Sequence, residues 1–510
     1  MKNVLVINMG MKSIRSIIFD ENGHKLSSAA RPLTTAINDT RVEQDPSEWW
    51  EKGLLSMKEA VRDAGIKNID YITVTTSASC LICVDPSGNP IGNALMVSDK
   101  RAVKEAEYIK NTSEFKEVFR DTGLDMSVSL MLPKILWIKN NEPEIFEKSS
   151  YFLTPNDFII MKLCGEAVTD YLDAIKYHYN IDTKEYPEKL LNTLGISSAS
   201  FPRVVDTGVK VGSVFKETCS QVGITNAPEV VVTSYDAICS FVGSGVTEEG
   251  EASDVSGTVT VLRVLCKKAD IKPCKKVYTT PFYQGEYDII GGSNNLGGGL
   301  IEWAKQCLYA KEEYPYEVME NEASKPPIGT NGLIFLPYLL GDRAPHFNDN
   351  ARGVLFGIER MHMRRDIARA VLESTGYIDM SLVEAINETN ADVENVRLSG
   401  GLARMSLVSQ IKADVLGKDV LVLSEFETTA SGAAMMVLVG QGDLPDFKEA
   451  ADRFVAVRTI IKPDKENHKK YTHMYQLFKE TYNTCEPLFD RRMALLDKIR
   501  TNRETQIENL

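Results

Sequence analysis

Short apolar stretches separated by glycine-containing turns open the chain. Residues 4–8 and 15–20 have the length and apolar content of strands, and Gly10 lies in the tight turn between them. Residues 20–23 read DENG, which is a hairpin turn signal, and a third strand is expected from Lys25 onward. The chain is therefore predicted to begin as an antiparallel meander.

Helical periodicity follows this meander. Asp45 is a good N-cap, Pro46 suits the first helical position, and Glu48 has the spacing of a capping box. Apolar residues then recur at helical spacing as far as Gly65, at Trp50, Leu54, Met57 and Val61. Residues 69–74 are the next predicted strand, so the order is strands, helix, strand.

A similar order recurs in the second half of the chain. The predicted elements there are strands over residues 254–266, 285–292 and 394–398, and helices from Leu300, over 364–386 and over 406–416. The stretch 245–250 is the predicted boundary, which divides the chain into domains 1–246 and 247–510. An amphipathic helical tail from about His468 is expected to pack on the second domain.

Composition and charge exclude several classes of protein. Of 510 residues, 43% are apolar and 25% are charged, which is ordinary for a globular protein and argues against disorder. The formal net charge of −13 provides no overall attraction for nucleic acid or for anionic membranes. The apolar run near the N-terminus is too short for a signal sequence or a membrane span, so a cytoplasmic protein is expected.

The cysteines do not suggest a disulfide framework or a metal site. There are nine of them, an odd number, and reduced thiols are the simplest interpretation. Cys80 and Cys83 have CxxC spacing, but the surrounding segment is apolar and typical of a buried strand. No second cysteine pair or nearby histidine completes a zinc site.

Three glycine-containing turns are candidates for phosphate binding, because exposed backbone N–H groups in such turns bind anions. In the first, Gly10 is accompanied by polar side chains, namely Asn8, Lys12, Ser13 and Arg15. Taken alone, this turn is more simply a hairpin with incidental charges. The second turn contains Gly257 and Thr258, and an ordinary β-turn is an equally good interpretation.

The third turn contains Gly400, Gly401 and Arg404 and lies between a predicted strand and a predicted helix. That context favours a nucleotide at a helix N-terminus. The turn lacks the spacing of a P-loop or of a dinucleotide-binding motif.

One carboxylate has a position suited to acid–base chemistry. Asp236 follows the apolar residues 230–232 and precedes a helical pattern of small residues. A carboxylate at the carboxyl end of a strand can act as a general base, and the alternative is an N-cap of the following helix.

Taken together, these segments resemble the FGGY family of carbohydrate kinases over nearly the whole chain. The most specific segment is 336–353, which reads LPYLLGDRAPHFNDNARG and resembles the signature of the second domain. Residues 133–137 (PKILW) with 141–144 (NEPE) resemble the first-domain signature. Residues 42–50 and 400–417 are also similar to family segments.

The resemblance implies an α/β fold of the actin/hexokinase-like (ribonuclease H-like) type, with two domains and a central cleft. It implies a first domain with the sugar site and the first phosphate loop, and a second domain that binds ATP. The implied general base is Asp236, and the implied sugar-site residues are Ser79, Asp99 and Arg101. The implied ATP-binding residues are Gly10, Lys12, Ser13, Arg15, Gly257, Thr258, Gly400, Gly401 and Arg404, with Asn8 toward Mg²⁺.

The sequence departs from the family pattern at two places. In the first phosphate loop Asn8, Met11 and Lys12 replace an aspartate, a threonine and a second hydroxyl residue. In the sugar pocket residues 77–80 read SASC, where xylulokinases carry QMHG, and the Arg-Glu pair of glycerol kinases is also missing.

The predicted function is ATP-dependent phosphorylation of a ketose, such as a pentulose, or of a polyol. The alternative is a kinase-like sensor with little transfer activity, which the altered first loop would favour. An actin-like or chaperone-like ATPase would share the fold but lack the signature over residues 341–353. The expected partners are a small carbohydrate and ATP, with no nucleic acid and no membrane, and the resemblance also suggests a homodimer.

Overall fold

The computed structural model describes residues 2–257, 259–268, 271–282, 286–425 and 427–508. The strands are β1 Asn3–Met9, β2 Ser13–Asp20, β3 Lys25–Pro32, β4 Ala36–Asn38, β5 Arg41–Gln44, β6 Tyr71–Thr76, β7 Ile82–Val84, β8 Ala94–Leu95, β9 Tyr151–Leu153, β10 Val168–Asp170, β11 Arg203–Val205, β12 Lys210–Ser213, β13 Glu229–Val231, β14 Glu251–Ser256, β15 Thr260–Lys267, β16 Tyr278–Phe282, β17 Tyr287–Asn294, β18 Ile334–Leu336, β19 Val354–Phe356, β20 Asn395–Ser399, β21 Asp419–Leu423 and β22 Val457–Ile461.

The helices alternate with these strands along the chain. They are α1 Pro46–Ala64, α2 Val103–Lys110, α3 Ser113–Thr122, α4 Met131–Asn141, α5 Pro143–Lys148, α6 Pro155–Cys164, α7 Tyr171–Ala174, α8 Glu188–Leu194, α9 Lys216–Val222, α10 Asp236–Gly243, α11 Gly298–Leu308, α12 Pro315–Ala323, α13 Arg364–Asn387, α14 Ser406–Leu416, α15 Thr428–Gly440, α16 Phe447–Phe454 and α17 Lys465–Glu508.

The chain divides into two compact units. The first contains Met1–Gly245 and Thr428–Phe454, and the second contains Val246–Glu427 and Val455–Leu510. The sequence division assigned all of 247–510 to one domain, whereas α15 and α16 lie with the first unit. The assignment of sugar binding to the first domain and ATP binding to the second stays a prediction.

The first unit is built on a six-stranded sheet in the order β12-β13-β6-β1-β2-β3. The three strands of the predicted meander, β1, β2 and β3, are antiparallel neighbours, and β6 pairs parallel with both β1 and β13. A parallel neighbour requires a crossover connection, and α1 lies in the connection between β3 and β6. The predicted order of strands, helix and strand is confirmed.

The second unit repeats this plan in a seven-stranded sheet, β16-β17-β15-β14-β20-β21-β22. Strands β14, β15 and β17 form an antiparallel meander, and β14 is parallel to β20, which is parallel to β21. The recurrence that the sequence predicted is therefore a repeat of topology. The predicted strand start at Gly285 lies outside the described residues.

Helix α1 begins and ends at the residues that local sequence signals predicted. The Asp45 carboxylate accepts a hydrogen bond of 2.8 Å from the Ser47 N–H, and Gly65 ends the helix in the left-handed conformation (φ 65°). The predicted capping box is wrong, because the Glu48 carboxylate accepts instead from the backbone N–H and the hydroxyl of Thr34. The sequence could not indicate this tertiary partner.

Two glycines permit close packing of α10 against α15 within the first unit. A Cβ atom added to Gly243 would lie 1.9 Å from the Thr428 carbonyl oxygen, and one added to Gly432 would lie 1.8 Å from the Cys239 carbonyl oxygen. Only glycine fits at these two positions, so the two helix backbones are in direct contact. The helix α10, whose first residue is Asp236, is thereby packed closely against α15.

Each unit has its own apolar interior. In the second unit aromatic residues of α17 enter the core, as predicted for the helical tail, and these are Tyr471, Tyr475, Phe478, Tyr482 and Phe489. Cys80 and Cys83 of the first unit are buried and form no disulfide. Burial raises the pKa of the Cys80 thiol to about 11 and that of the Cys83 thiol to about 12. No described helix is long and apolar enough to cross a membrane.

Candidate active site

The first glycine turn of the sequence connects β1 to β2. The Gly10 N–H donates to the Ser13 carbonyl (3.0 Å), and Asn8 lies beside Arg15 on β2 and beside Thr75 on β6. Lys12 is exposed, and Ser13 begins β2. The structure therefore brings together all five residues that the sequence selected at this turn.

A buried glutamine holds this turn from behind. The Gln44 amide nitrogen donates to the Met11 carbonyl (2.8 Å), while its amide oxygen accepts from the Trp49 indole N–H (2.8 Å). Gln44 is 2% exposed, so both contacts are shielded from water. The sequence analysis missed this role of Gln44, although the residue lies in a segment that it singled out.

Asp236 is the first residue of α10. Ser77 links it to β1, the strand that leads into the first turn. The helix N-cap is Tyr235, so the N-cap alternative for Asp236 is wrong. The Ser77 hydroxyl donates to Asp236 Oδ2 (3.0 Å), and the Ser77 N–H donates to the Met9 carbonyl (3.3 Å). Ser77 thus connects Asp236 to the end of β1.

Ser79, the predicted sugar-site serine, makes different contacts from those of Ser77. Ser79 is 5% exposed and has a left-handed backbone (φ 63°), which is unusual for a residue other than glycine. Its carbonyl accepts a hydrogen bond of 2.6 Å from the buried ammonium of Lys134. Ser77 and Lys134 are both residues that the sequence analysis did not select.

Asp99 and Arg101 are in direct contact with each other. The Arg101 guanidinium donates to both Asp99 oxygens, at 2.8 to 3.1 Å, and also to Glu43. Burial would lower the pKa of Arg101, but the hydrogen bonds that it donates to these two carboxylates outweigh burial and raise the pKa. Arg101 also lies over the Trp137 ring, 4.9 Å from its centroid. This pair is therefore rigidly oriented.

Three acidic side chains are buried behind Asp236. They are Asp157, Asp170 and Asp173, and all are fully buried. Asp170 accepts from the Ser234 hydroxyl (3.0 Å), two residues before Asp236. Burial raises the pKa of Asp170 to about 8 and of Asp173 to about 6, and nearby Asp236 contributes to the rise at Asp173.

The second and third glycine turns lie side by side in the second unit. Gly400 has φ 86°, and a Cβ added there would lie 2.5 Å from the Ser256 carbonyl oxygen. The Gly257 carbonyl accepts from the N–H of Gly298, at the start of α11 (2.6 Å). Gly401 begins a 3-10 turn that ends at Arg404, so the α-helix starts only afterwards.

This pair of turns exposes glycine backbone without side chains above it. A Cβ added to Gly257 or Gly401 would meet no atom within 4 Å. Such open backbone can accept a planar base or a phosphate group at close range. Thr258, the remaining predicted residue of the second turn, lies outside the described residues.

A buried charge cluster supports the second turn from below. The Lys412 ammonium donates to the carboxylates of Asp254 and Asp379 and to the Ser256 hydroxyl (3.2 Å). All four side chains are buried. The sequence analysis selected none of them as site residues, because α13, α14 and β14 meet only in the fold.

Among the described residues, no three His, Cys, Asp or Glu side chains converge in a way that could hold a metal ion. At the first turn Asn8 offers an amide oxygen, which is a neutral ligand.

Comparison with known proteins identifies the family. The sequence model for the N-terminal domain of the FGGY family of carbohydrate kinases matches residues 3–243, and the model for its C-terminal domain matches residues 253–440. This chain belongs to the FGGY family of carbohydrate kinases. The resemblance inferred from the motifs is confirmed, and the FGGY chain is a phosphotransferase.

Two curated relatives align along the whole FGGY chain. The xylulose kinase of Bacillus subtilis is 27% identical over 495 residues, which cover 96% of this chain and 98% of that protein. The gluconokinase of the same organism is 26% identical over 516 residues, which cover 99% of this chain and 97% of that protein. The resemblance is therefore not confined to one domain.

A solved structure confirms the fold class. The ligand-bound xylulose kinase of Lactobacillus acidophilus superposes with a TM-score of 0.89 at 23% identity, covering 96% of this chain and all of that one. The predicted α/β fold of the actin/hexokinase-like type is therefore correct for this FGGY kinase.

Proposed function

We propose that this FGGY kinase transfers the γ-phosphate of ATP to a hydroxyl of a ketose, a polyol or a related sugar acid, with Asp236 as the general base. The observation that carries the proposal is the hydrogen bond from Ser77 to Asp236, which orients a half-buried carboxylate at the start of α10. Ser77 links this carboxylate to the candidate sugar-site loop and to the end of β1, which supports a role in proton transfer.

The reaction requires one proton transfer and one exchange of bonds at phosphorus. Asp236 accepts the proton of the acceptor hydroxyl as its oxygen forms a bond to the γ-phosphorus. The bond between that phosphorus and the β–γ bridging oxygen breaks, and ADP leaves with the electron pair. Because the transition state is loose, positioning and charge stabilisation supply most of the rate enhancement.

The binding of ATP is proposed for the glycine turns. Gly257 and Gly401 have open space beside their backbone, and Gly400 lets the two turns of the second unit approach each other, which suits an adenosine and its phosphates. Lys12, Ser13 and Arg15 at the first turn supply cationic and hydroxyl groups suited to the phosphates. The roles of Asp99 and Arg101 toward the acceptor and of Arg404 toward ATP belong to the same proposal.

Mg²⁺ is expected to arrive with the nucleotide. The amide oxygen of Asn8 fits a ligand position but supplies no charge, so the phosphates of ATP would provide the main oxygen ligands. When bound, the ion neutralises phosphate charge. The relatives bear the names of kinases, and nothing among them favours the alternative of an inactive sensor.

The test is release of ADP from ATP-Mg²⁺ in a coupled assay across ketoses, polyols and sugar acids. Stimulation by one acceptor, with the phosphorylated product identified by mass spectrometry, is the expected result. A wild-type protein that binds a sugar in calorimetry but releases no ADP with it would overturn the proposal.

A further inference from the structure

One lysine of the first unit is buried without an acidic partner. Lys134 lies in α4 and is 0% exposed, and its ammonium donates to the carbonyls of Ser79 (2.6 Å) and Met96 (2.9 Å). Within the described part of the chain, no carboxylate lies within ion-pair distance of this ammonium. A buried ammonium held only by carbonyl dipoles is uncommon, because desolvation disfavours the charge.

The first of these carbonyls belongs to the loop that holds Ser77. Ser79 has the left-handed backbone conformation, which is strained for a serine and persists only where neighbouring contacts impose it. The hydrogen bond from Lys134 is such a contact. Ser77, two residues earlier, donates to Asp236, so the position of this loop determines how the proposed general base is held.

The second carbonyl belongs to the turn that leads to Asp99. The Met96 carbonyl also accepts from the Asp99 N–H (3.0 Å), and the Met96 N–H donates to the Val42 carbonyl (3.0 Å). Asp99 in turn fixes the guanidinium of Arg101. Lys134 therefore touches the two segments that carry the proposed acceptor-binding groups.

Volume alone does not account for a lysine at this position. A methionine would fill a similar space without the desolvation cost, and burial lowers the pKa of Lys134 to about 8. What a methionine lacks is N–H donors for two carbonyls that point into the interior. The Ser79 carbonyl would lose this hydrogen bond and the Met96 carbonyl would keep only the one from the Asp99 N–H, so each segment could then reorient.

We propose that Lys134 is a positioning residue for the acceptor site, because its ammonium connects the loop 77–80, which holds Asp236, to the turn 96–99, which holds Arg101. This inference rests on the proposed function for the meaning of the site. The two hydrogen bonds of Lys134 belong to the fold and do not depend on the reaction. The role of Lys134 and the proposed function can therefore be tested separately.

The same helix provides a matched control. Lys139 of α4 also donates to two backbone carbonyls, those of Leu194 (2.6 Å) and Gly195 (2.8 Å), which belong to neither segment. Lys139→Met removes the same kind of contact from the same helix. A general loss of stability in α4 would therefore affect both variants.

The first measurement is hydrogen exchange of the full-length protein without ligand. Lys134→Met should accelerate exchange in both segments, 77–80 and 96–99, while Lys139→Met should leave them at the wild-type rate. Lys134→Gln keeps two N–H donors on a shorter side chain, so its exchange rates in these segments should lie between those of wild type and Lys134→Met. If Lys134→Met does not fold, the exchange rates of Lys134→Gln test the proposal instead. Unchanged protection in either segment would overturn the proposal.

The second measurement is steady-state kinetics with the acceptor found in the coupled assay. Lys134→Met should raise KM for the acceptor about tenfold or more and lower kcat, with KM for ATP within about twofold of wild type. An equal rise in both KM values would show a merely structural role and overturn the proposal. If wild type phosphorylates no acceptor, the proposed function fails, while hydrogen exchange still decides the role of Lys134.

Discussion

The hydroxyl of Ser77 donates a hydrogen bond of 3.0 Å to the carboxylate of Asp236, across 159 positions of sequence. Ser77 directly follows β6, and Asp236 begins α10, so the bond joins the end of a central strand to the start of a helix. A hydrogen bond to a charged acceptor is worth about 1.5–3 kcal/mol, enough to select one orientation of the side chain.

Asp236→Asn should abolish most acceptor phosphorylation. An amide cannot take the proton of the hydroxyl, and general-base catalysis typically contributes about 10²–10⁴ in rate. The measurement is kcat in the ADP-release assay, together with the affinity for ATP by calorimetry, which should be unchanged. The control is Asp121→Asn, an exposed aspartate of the same unit. Undiminished turnover in Asp236→Asn would remove Asp236 from the mechanism.

Ser77→Ala should lower kcat about tenfold, because Asp236 would lose the hydrogen bond that orients it. The decisive measurement is a double-mutant cycle: Ser77→Ala should have no further effect in the Asp236→Asn background. Additive losses would mean that Ser77 acts independently of Asp236. Ser87→Ala, at an exposed turn of the same unit, is the control.

Gly400→Ala and Gly401→Ala form a matched pair. At Gly400 the added methyl group meets the Ser256 carbonyl and the backbone has φ 86°, whereas at Gly401 it meets nothing. Gly400→Ala should therefore lower the Tm of the ligand-free protein, at a cost of about 1–3 kcal/mol, and weaken ATP binding. Gly401→Ala should melt like wild type. Equal melting temperatures for both variants would contradict the close approach of the two turns.

Asn8→Asp should lower the Mg²⁺ concentration needed for half-maximal activity severalfold, because a carboxylate binds this ion better than an amide. The measurement is a Mg²⁺ titration of the initial rate at fixed ATP. Asn38→Asp, on the exposed strand β4, adds the same charge elsewhere and should change nothing. If the two variants give the same titration curve, Asn8 does not lie at the metal.

Asp173→Asn should make the protein more stable at pH 7, by an amount that shrinks toward pH 4. Burial raises the pKa of Asp173 to about 6, so between about pH 4 and pH 6 the folded state binds more protons than the unfolded state. The free energy of unfolding of wild type therefore falls as pH rises through this range. Asparagine does not titrate, so the variant lacks this decrease in the free energy of unfolding. The variant also lacks the negative charge of Asp173, which raises the pKa of Asp170 in the wild type.

The measurement is Tm of both proteins from pH 4 to pH 8, compared as a difference curve. Subtraction cancels the opposite contribution of His178, whose pKa burial lowers to about 4. A difference that does not vary with pH would mean that Asp173 titrates normally in the folded protein. Asp121→Asn again serves as the exposed control.

The sequence by itself determined the local elements and the family. The meander of β1 to β3, the cap of α1 at Asp45 and its end at Gly65 follow from signals that lie within a few residues of each other. The segment 336–353 was specific enough to indicate the family, which the domain comparisons confirm. These features are local because turn chemistry, capping and periodicity act over short stretches of chain.

Only the tertiary structure decided which residues meet. The Ser77 hydroxyl donates to Asp236, Lys134 of α4 donates to two separate loops, and Glu48 accepts from Thr34 instead of from its own helix end. Each of these contacts joins segments that are distant in sequence and leaves no periodic pattern. They are fixed by the packing of the sheet and its crossover helices, where a buried donor or acceptor must find a partner wherever the fold places one.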